Sequence, residues 1–576
     1  MEDQKMQESS RHQWKSLFHL IRRAGVPWYL FIFTFLMDAL AATLFVKLPV
    51  LLGEIMQGEI MNGGQISQYG LMCAAQVIFS FFSMMVFNLV YARVNASSSN
   101  AAWNRILHLP MRVLFREKPS TLTSRVTNDS DGVSLALSGI FNCLSMIYTM
   151  VMVYIEMFRM NSTISLMLLL IPAWLFLSMR IVGNMSYRAQ KKVQNSLSAF
   201  TSYLSVRLPN MRQMKAFGTE QQEQKKGEEK IKDQYSAEMT IVKINALSSM
   251  MQNLSTTLCN IIVLAFGGYL VSTGKLEAGD LITFFIFIAQ GTFTYNGENL
   301  LMYYQNIKFG LGACTKVMDM IDTDEEVMKR DKSFTVPEAD LHFDHVTFAY
   351  EEKQILKDIS FTIPKGRTTA IVGTNGSGKT TILKLLERFY EPDSGSITYG
   401  NENIEKYHLD EWRDSIGYVV QNSPLLQGSI LDNITYGMQS PDRAAAEQAA
   451  READAEEFIR QMPQGYESEV GELGGKLSGG QRQKIAIARA MIHHPELILL
   501  DEATCGLDAC SEQEILQTLS KTLSGKTVVM IAHSVAEVQH ADQIIVMHNG
   551  EVAGCGTHEE LLEKNEQYQE FCKHSA

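Results

Sequence analysis

The sequence predicts two unlike domains in one chain: an α-helical domain that crosses a membrane six times, then an α/β domain built around a phosphate-binding loop. Apolar stretches long enough to span a bilayer recur six times before about residue 310. After about residue 335 the pattern changes to short β-like runs between polar turns. One run, Thr369-Ala370-Ile371-Val372, leads into Gly373-Thr374-Asn375-Gly376-Ser377-Gly378-Lys379-Thr380, and a helical pattern from Thr381 to Arg388 leaves it. The expected divisions are 1–320 for the membrane domain, 321–336 for a linker and 337–576 for the α/β domain.

The six apolar stretches run roughly 28–50, 69–91, 138–158, 163–184, 246–272 and 279–305. Only Arg159 to Ser162 separates the third from the fourth, which suits a tight turn. Charge between the stretches sets their orientation by the positive-inside rule. Lys15, Arg22 and Arg23 precede the first, and the segment 53–68 has no Lys or Arg. The connection after the second carries Arg93, Arg105, Arg112, Arg116, Lys118 and Arg125. The connection after the fourth carries Arg188, Lys191, Lys192, Arg207, Arg212 and Lys215 among others. Both termini and both long connections are therefore expected in the cytoplasm. Those connections look helical, so the spanning helices are expected to continue beyond the bilayer and turn there.

Ionisable groups inside the stretches are costly and face polar interiors. Asp38 and Lys47 share the first but stand about half a turn out of phase, so they should not pair. Glu298 lies in the sixth among Gln290, Thr294, Asn296, Asn299 and Gln305. The plain reading is a water-lined wall without a ligand role. The sharper reading puts Asp38 and Glu298 in a substrate cavity that prefers cationic or zwitterionic amphiphiles. Methionine is abundant here, and adaptable packing is preferred to a metal path.

The 576 residues allow two or three domains. A mean hydropathy of -0.04 conceals an apolar half and a polar half. The net charge of -12 gives a nucleic-acid partner no electrostatic support, and none is expected. Glu447, Glu452, Asp454, Glu456 and Glu457 form a solvated acidic face. The eight cysteines include no CxxC pair, so neither a metal site nor a disulfide framework is indicated. The polar stretch Met1 to Arg23 lacks the apolar core of a cleaved signal peptide.

In the α/β half, the glycines of the loop let backbone N–H groups approach phosphates, and the following helix N-terminus favours negative charge. Lys379 should reach the β/γ-phosphates and Thr380 should ligate Mg²⁺. Leu497-Ile498-Leu499-Leu500 is a second buried strand, ending at Asp501-Glu502. Asp501 suits the metal side, and Glu502 suits a base that polarises the attacking water. The alternative, two solvated carboxylates at a strand end, sits poorly with the apolar run before them. His533 follows a third such strand, Val528 to Ile531. Leu477-Ser478-Gly479-Gly480-Gln481, before a helical run from Arg482 to Met491, would alone read as a turn and helix cap.

That segment lies about a hundred residues after the phosphate loop and about twenty before Asp501-Glu502. Loop, signature and acidic pair in this order resemble the ATP-binding cassette (ABC) proteins. With the apolar half in front, the chain resembles an exporter-type half-transporter over essentially its whole length. The resemblance implies ATP and Mg²⁺ as cofactors and an α/β ATPase of the ABC type. It implies Tyr350 stacking on adenine and Gly373 to Thr381 around the phosphates. His533 would contact the γ-phosphate, and Gln421 would link the Mg²⁺ site to the membrane domain. Thr380, Gln421 and Asp501 would form the metal side, and Glu502 with His533 the catalytic pair. Ser478, Gly479, Gly480 and Gln481 would bind ATP held by another cassette's loop.

One loop and one signature make half a transporter, so a second chain is implied, with a homodimer preferred to a heterodimer. The other partners implied are membrane lipid and a transported small molecule, in a bacterial inner membrane. The implied activity is ATP-hydrolysing export of a small amphiphile, lipid or peptide by alternating access. Import of a siderophore in the same fold and an ATP-gated channel are the alternatives, and a gate would not need Glu502. Leu122-Thr123-Ser124-Arg125-Val126-Thr127-Asn128-Asp129 resembles the family's first intracellular turn, and Met214-Lys215-Ala216-Phe217-Gly218 the segment after its second. Both kinds of turn would dock onto ATPase domains. The chain departs from the pattern at Val206, where relatives place an acid, at Leu473, where they place Arg, and at Cys505-Gly506-Leu507-Asp508.

Overall fold

The computed structural model describes residues 2–25, 27–57, 63–168, 170–289, 294–328, 332–420, 424–504, 509–539 and 541–574. The chain divides into two compact units, one of Met1–His108 with Glu117–Thr323 and one of Leu109–Arg116 with Asp324–Ala576.

The first unit is helical. Among the described residues four helices are long and apolar enough to cross a membrane: Trp28–Met56, Gly63–Leu107, Pro119–Met160 and Glu220–Ser272. Ala278–Ala289 is apolar but shorter. The expected fourth and sixth spans, 163–184 and 279–305, include residues outside the described set, so the structure supports four of the expected six as single helices. With 45 residues, Gly63–Leu107 would be about 68 Å long, over twice the ~30 Å apolar core of a bilayer. The spans therefore outrun the membrane, as their charged extensions suggested.

Small residues set how closely these helices pack. On Ser130–Met160 and Thr294–Asp322, a Cβ added at Gly310 would lie 2.3 Å from the carbonyl oxygen of Gly132. One added at Gly139 would lie 2.8 Å from that of Tyr303. In lipid, where apolar side chains gain little by leaving their surroundings, such backbone approach and interhelical hydrogen bonds replace the hydrophobic effect. Asp38 accepts a hydrogen bond from Ser145 Oγ, and Thr43 Oγ1 lies 3.0 Å from Tyr148 Oη, tying the first span to the third. At the expected tight turn, Asn161 leaves the helical conformation and its Oδ1 accepts the N–H groups of Thr163 and Ile164, capping the next helix.

The stretch expected to be the first turn behaves otherwise. Pro119–Ser124 runs through a π-helical turn, Arg125–Asp129, directly into Ser130–Met160, so the chain does not reverse there. The short helix Met111–Arg116 lies upstream and groups with the second unit.

Among the described residues the second unit holds two sheets. The strands are β1 (Leu341–Tyr350), β2 (Lys353–Ile363), β3 (Thr368–Gly373), β4 (Ser394–Tyr399), β5 (Glu402–Asn403), β6 (Ile416–Val419), β7 (Leu497–Asp501), β8 (Thr527–Ile531), β9 (Gln543–His548) and β10 (Glu551–Gly556). An antiparallel sheet has the order β2-β1-β4-β5. The other has the order β10-β9-β3-β8-β7-β6 and is parallel except for its β10 edge. β7 and β8 are buried at every position, the mark of strands covered on both faces. β1 is one strand, interrupted where His345 takes φ +50°.

The expected linker is largely packed down. The Arg413 guanidinium grips both carboxylate oxygens of Glu326 at 3.0 and 2.9 Å. The Leu409 N–H donates to the Met328 carbonyl at 2.7 Å. Phe334 sits edge-on to Tyr407 and Trp412, 5.0 and 5.1 Å between ring centres. From Asp324 on, the chain therefore belongs to the second unit.

Candidate functional site

β3 delivers the chain into the phosphate-type loop at Gly373. Its φ of +146° and a Cβ position only 2.0 Å from the Met547 carbonyl oxygen exclude any side chain. Gly378, at φ +104°, turns the backbone into the helix Lys379–Leu386, and a Cβ there would strike Leu356. Lys379 folds back over the loop and donates to the carbonyls of Gly373 at 2.8 Å and Thr374 at 3.3 Å. Burial pulls its ammonium below the ordinary lysine value, while the charges of Glu502 and Asp501 pull the other way. A buried lysine at the N-terminus of a helix, folded over a glycine-rich loop, is chemistry for a polyphosphate.

β7 ends beside this loop. Asp501 is buried, and its Oδ1 has no hydrogen-bond partner among the described residues, while Tyr418 Oη donates to Oδ2 at 3.5 Å. Burial first, then the Glu502 charge, raises its pKa. An orphaned buried carboxylate oxygen fits a hard divalent cation, which would satisfy the oxygen and stabilise its charge. Glu502 adopts φ +51°, a strained conformation for a side-chain-bearing residue, which turns it out of the strand direction. His533, just beyond β8, has Nε2 2.8 Å from Glu502 Oε1. The register explains the meeting: Asp501 pairs with Ile531 across the parallel β7–β8 ladder.

Tyr350, at the end of β1, lies 3.5 Å from Thr381 Oγ1 through its hydroxyl. Its ring meets Tyr390 edge-on at 5.1 Å and Phe348 at 4.9 Å, and Lys384 Nζ lies 5.6 Å from its centre. Phe115 of the helix Met111–Arg116 stacks on Tyr390 at 6.2 Å and also takes Lys384 over its ring. Arg116 forms an ion pair with Glu351. Sequence reasoning placed Tyr350 but not the company it keeps.

The signature is a helix cap in this geometry. Ser478 accepts the Gln481 N–H at 3.2 Å, and Gln481 Oε1 accepts the Ser478 N–H at 3.0 Å, at the start of Gly479–Met491. These bonds stay within the signature's own helix. Gln421 and the Glu298 side chain lie outside the described residues. Sequence reasoning missed Glu537, a buried acceptor for the His533 N–H at 2.7 Å. The capping pattern Ser534-Val535-Ala536-Glu537 was the available signal.

A family profile described as "ABC transporter transmembrane region" matches residues 30–295, and one described as "ABC transporter" matches residues 356–505. The multidrug resistance ABC transporter ATP-binding and permease protein of Lactococcus lactis is 30% identical over 96% of this chain and 95% of its own length. The chain belongs to the ABC transporters. It is 28% identical to an ATP-dependent lipid A-core flippase of Syntrophus aciditrophicus, over 85% of this chain and 82% of that one. A solved bacterial Atm1-family ABC exporter with ATP bound superposes with a TM-score of 0.81 at 27% identity, covering 95% of this chain and 99% of that one. This ABC transporter is thus an integral membrane protein with fused membrane and nucleotide-binding ATPase domains. Its function is ATP-driven transport in the exporter fold.

The transporter carries a proton-sensitive group at the end of the helix that leaves the phosphate loop. Glu387 is buried, which pushes its carboxyl up to about 7 against the opposing pull of Arg413. The folded state therefore holds a proton that the unfolded chain releases above the ordinary value of 4.5. Stability from this group is full below the ordinary value of 4.5 and is lost as pH rises from there through about 7. The loss is on the order of 3 kcal/mol. Glu387→Gln should match the parent's unfolding midpoint at about pH 4 and exceed it at about pH 8. An equal pH dependence in both proteins would refute the assignment.

Proposed function

We propose that this ABC transporter exports a small amphiphilic molecule, a lipid or a peptide by alternating access in a dimer. The observation that carries the reading is the meeting of Glu502 and His533 beside buried Lys379 and Asp501, at the ends of neighbouring parallel strands. Tyr350 would stack on the base. The backbone of Gly373 to Thr381 would enclose the phosphates, and Lys379 would exchange its loop carbonyls for β/γ-phosphate oxygens. Glu502 would orient and deprotonate the attacking water, with His533 holding the γ-phosphate side. Thr380, Asp501 and Gln421 would hold Mg²⁺, which when bound neutralises the phosphate oxygens.

A single loop and a single signature, whose bonds stay in its own helix, support assembly from two chains. Ser478, Gly479, Gly480 and Gln481 of each would close on ATP held by the other. All motifs for both halves of a composite site are present, so a homodimer is favoured. Closure around ATP and reopening after hydrolysis would alternate the cavity between the two sides. The Lys and Arg distribution supports a cytoplasmic ATPase unit and cytoplasmic termini in a bacterial inner membrane. The names of the relatives, a multidrug transporter and a lipid A-core flippase, support an amphiphilic cargo. Asp38 is half-buried in the first span with Ser145 donating to it, which favours a cationic cargo, with Glu298 as a second acid.

Purified Glu502→Gln protein should bind Mg-ATP at near-parental affinity and lose turnover by roughly two orders of magnitude or more. Phosphate release near the parental rate would remove Glu502 as the base. Expressed alone and placed in nanodiscs, the chain should have the mass of two copies and hydrolyse ATP. An inactive monomer rescued by a different co-expressed chain would overturn the homodimer. Asp38→Asn should weaken ATPase stimulation by a cationic amphiphile several-fold while leaving the response to an anionic one of similar size. Equal responses in both proteins would make Asp38 structural.

A further inference from the structure

Glu537 does more than a helix cap requires. It is the third residue of Val535–Val538, a four-residue helix, and the capping box there needs it to accept only the Ser534 N–H, which it does at 3.2 Å. The same Oε2 also accepts the His533 N–H at 2.7 Å. Its Oε1 accepts a hydrogen bond from Thr504 Oγ1, two residues beyond Glu502. Glu537 and Thr504 are both buried, at 7% exposure each, where water does not compete for these bonds.

The carboxylate thus joins two segments that leave neighbouring strands. One follows β7 and carries Glu502 in a strained left-handed conformation. The other follows β8 and carries His533. Strain of that kind persists only where the surroundings hold it. The Glu502–His533 contact joins the same two segments between side chains, the His being partly exposed, and the Glu537 bonds join them through buried groups.

We propose that Glu537 is a positioning residue for ATP hydrolysis: through Thr504 on one side and the His533 backbone on the other, it fixes the distance between Glu502 and His533. The proposal rests on Glu502 and His533 acting in hydrolysis. It concerns the chemical step and not nucleotide affinity, because the Glu537 carboxylate bonds to Thr504 and to the His533 and Ser534 N–H groups, none of them assigned to ATP. Held groups of this kind lose about tenfold or more when their support is removed.

The test uses the full-length transporter in nanodiscs, with kcat and KM for ATP measured for Glu537→Ala, Glu537→Gln, Thr504→Val and Glu502→Gln. Glu537→Ala should lower kcat about tenfold with KM within about twofold, and Glu537→Gln, which keeps an acceptor for His533, should restore most of it. Thr504→Val, which removes only the hydroxyl, should lower kcat several-fold at unchanged KM. This variant carries the test if Glu537→Ala does not fold. Normal kcat in Thr504→Val, together with normal kcat in whichever Glu537 variants fold, would overturn the proposal. If Glu502→Gln is inactive in that case, the clamp alone fails. If Glu502→Gln hydrolyses ATP at the parental rate, the reading of the base fails and the proposal falls with it.

Discussion

The parallel pairing of β3, β8 and β7 is the constraint on which the ATPase unit depends. Ile371 of β3 and Asp501 of β7 both pair with Ile531 of β8, so three strands end side by side and point the same way. The loops that follow open at one edge of the sheet: Gly373–Gly378 after β3, Glu502–Thr504 after β7 and His533 after β8. A parallel sheet with apolar strands buried on both faces leaves its polar chemistry nowhere else to go. Moving one strand by a single residue would invert its side chains and separate Glu502 from His533.

That edge stores unfavourable electrostatics. Lys379 is buried against loop carbonyls, and Asp501 is buried with an oxygen that has no partner among the described residues. Each is costly alone, and each is relieved by groups a metal–polyphosphate would bring: negative phosphate oxygens for the lysine, a cation for the aspartate. The fold thus favours the nucleotide complex by leaving both charges incompletely satisfied. In the membrane unit the logic differs. Hydrophobicity drives residence in lipid but not helix pairing, so contact rests on Gly132, Gly139 and Gly310 and on hydrogen bonds such as Ser145 to Asp38.

Much of this was legible in the sequence because the phosphate loop needs glycine where φ is positive and the strands need unbroken apolar runs. Both leave clear local patterns, and Gly373, Lys379, Asp501, Glu502 and His533, proposed from them and from the family resemblance, lie together at the ends of neighbouring strands. The role of Glu537 was not legible, because a Ser-x-x-Glu capping pattern is the same whether its carboxylate is solvated or bridges two segments. The surroundings of Tyr350 were hidden for a related reason. Lys384 reaches its ring, and Phe115 stacks on the neighbouring Tyr390, from positions far apart in sequence with no shared periodicity. The turn expected from the family resemblance at Leu122–Asp129 was misplaced because that stretch continues through a π-helical turn into the next helix, while Met111–Arg116 is too short to show a face.

The central claim is that the loops ending β3 and β7 form one site for a metal-bound nucleoside triphosphate. Isothermal titration of the full-length protein with Mg-ATP, repeated for Lys379→Ala and Asp501→Asn, tests it most directly. The account predicts that Lys379→Ala weakens binding at least about tenfold, as expected for loss of a charge-assisted phosphate contact. It also predicts that Asp501→Asn removes the dependence of affinity on Mg²⁺. Equal ATP affinity in all three proteins, with the same Mg²⁺ dependence, would contradict it.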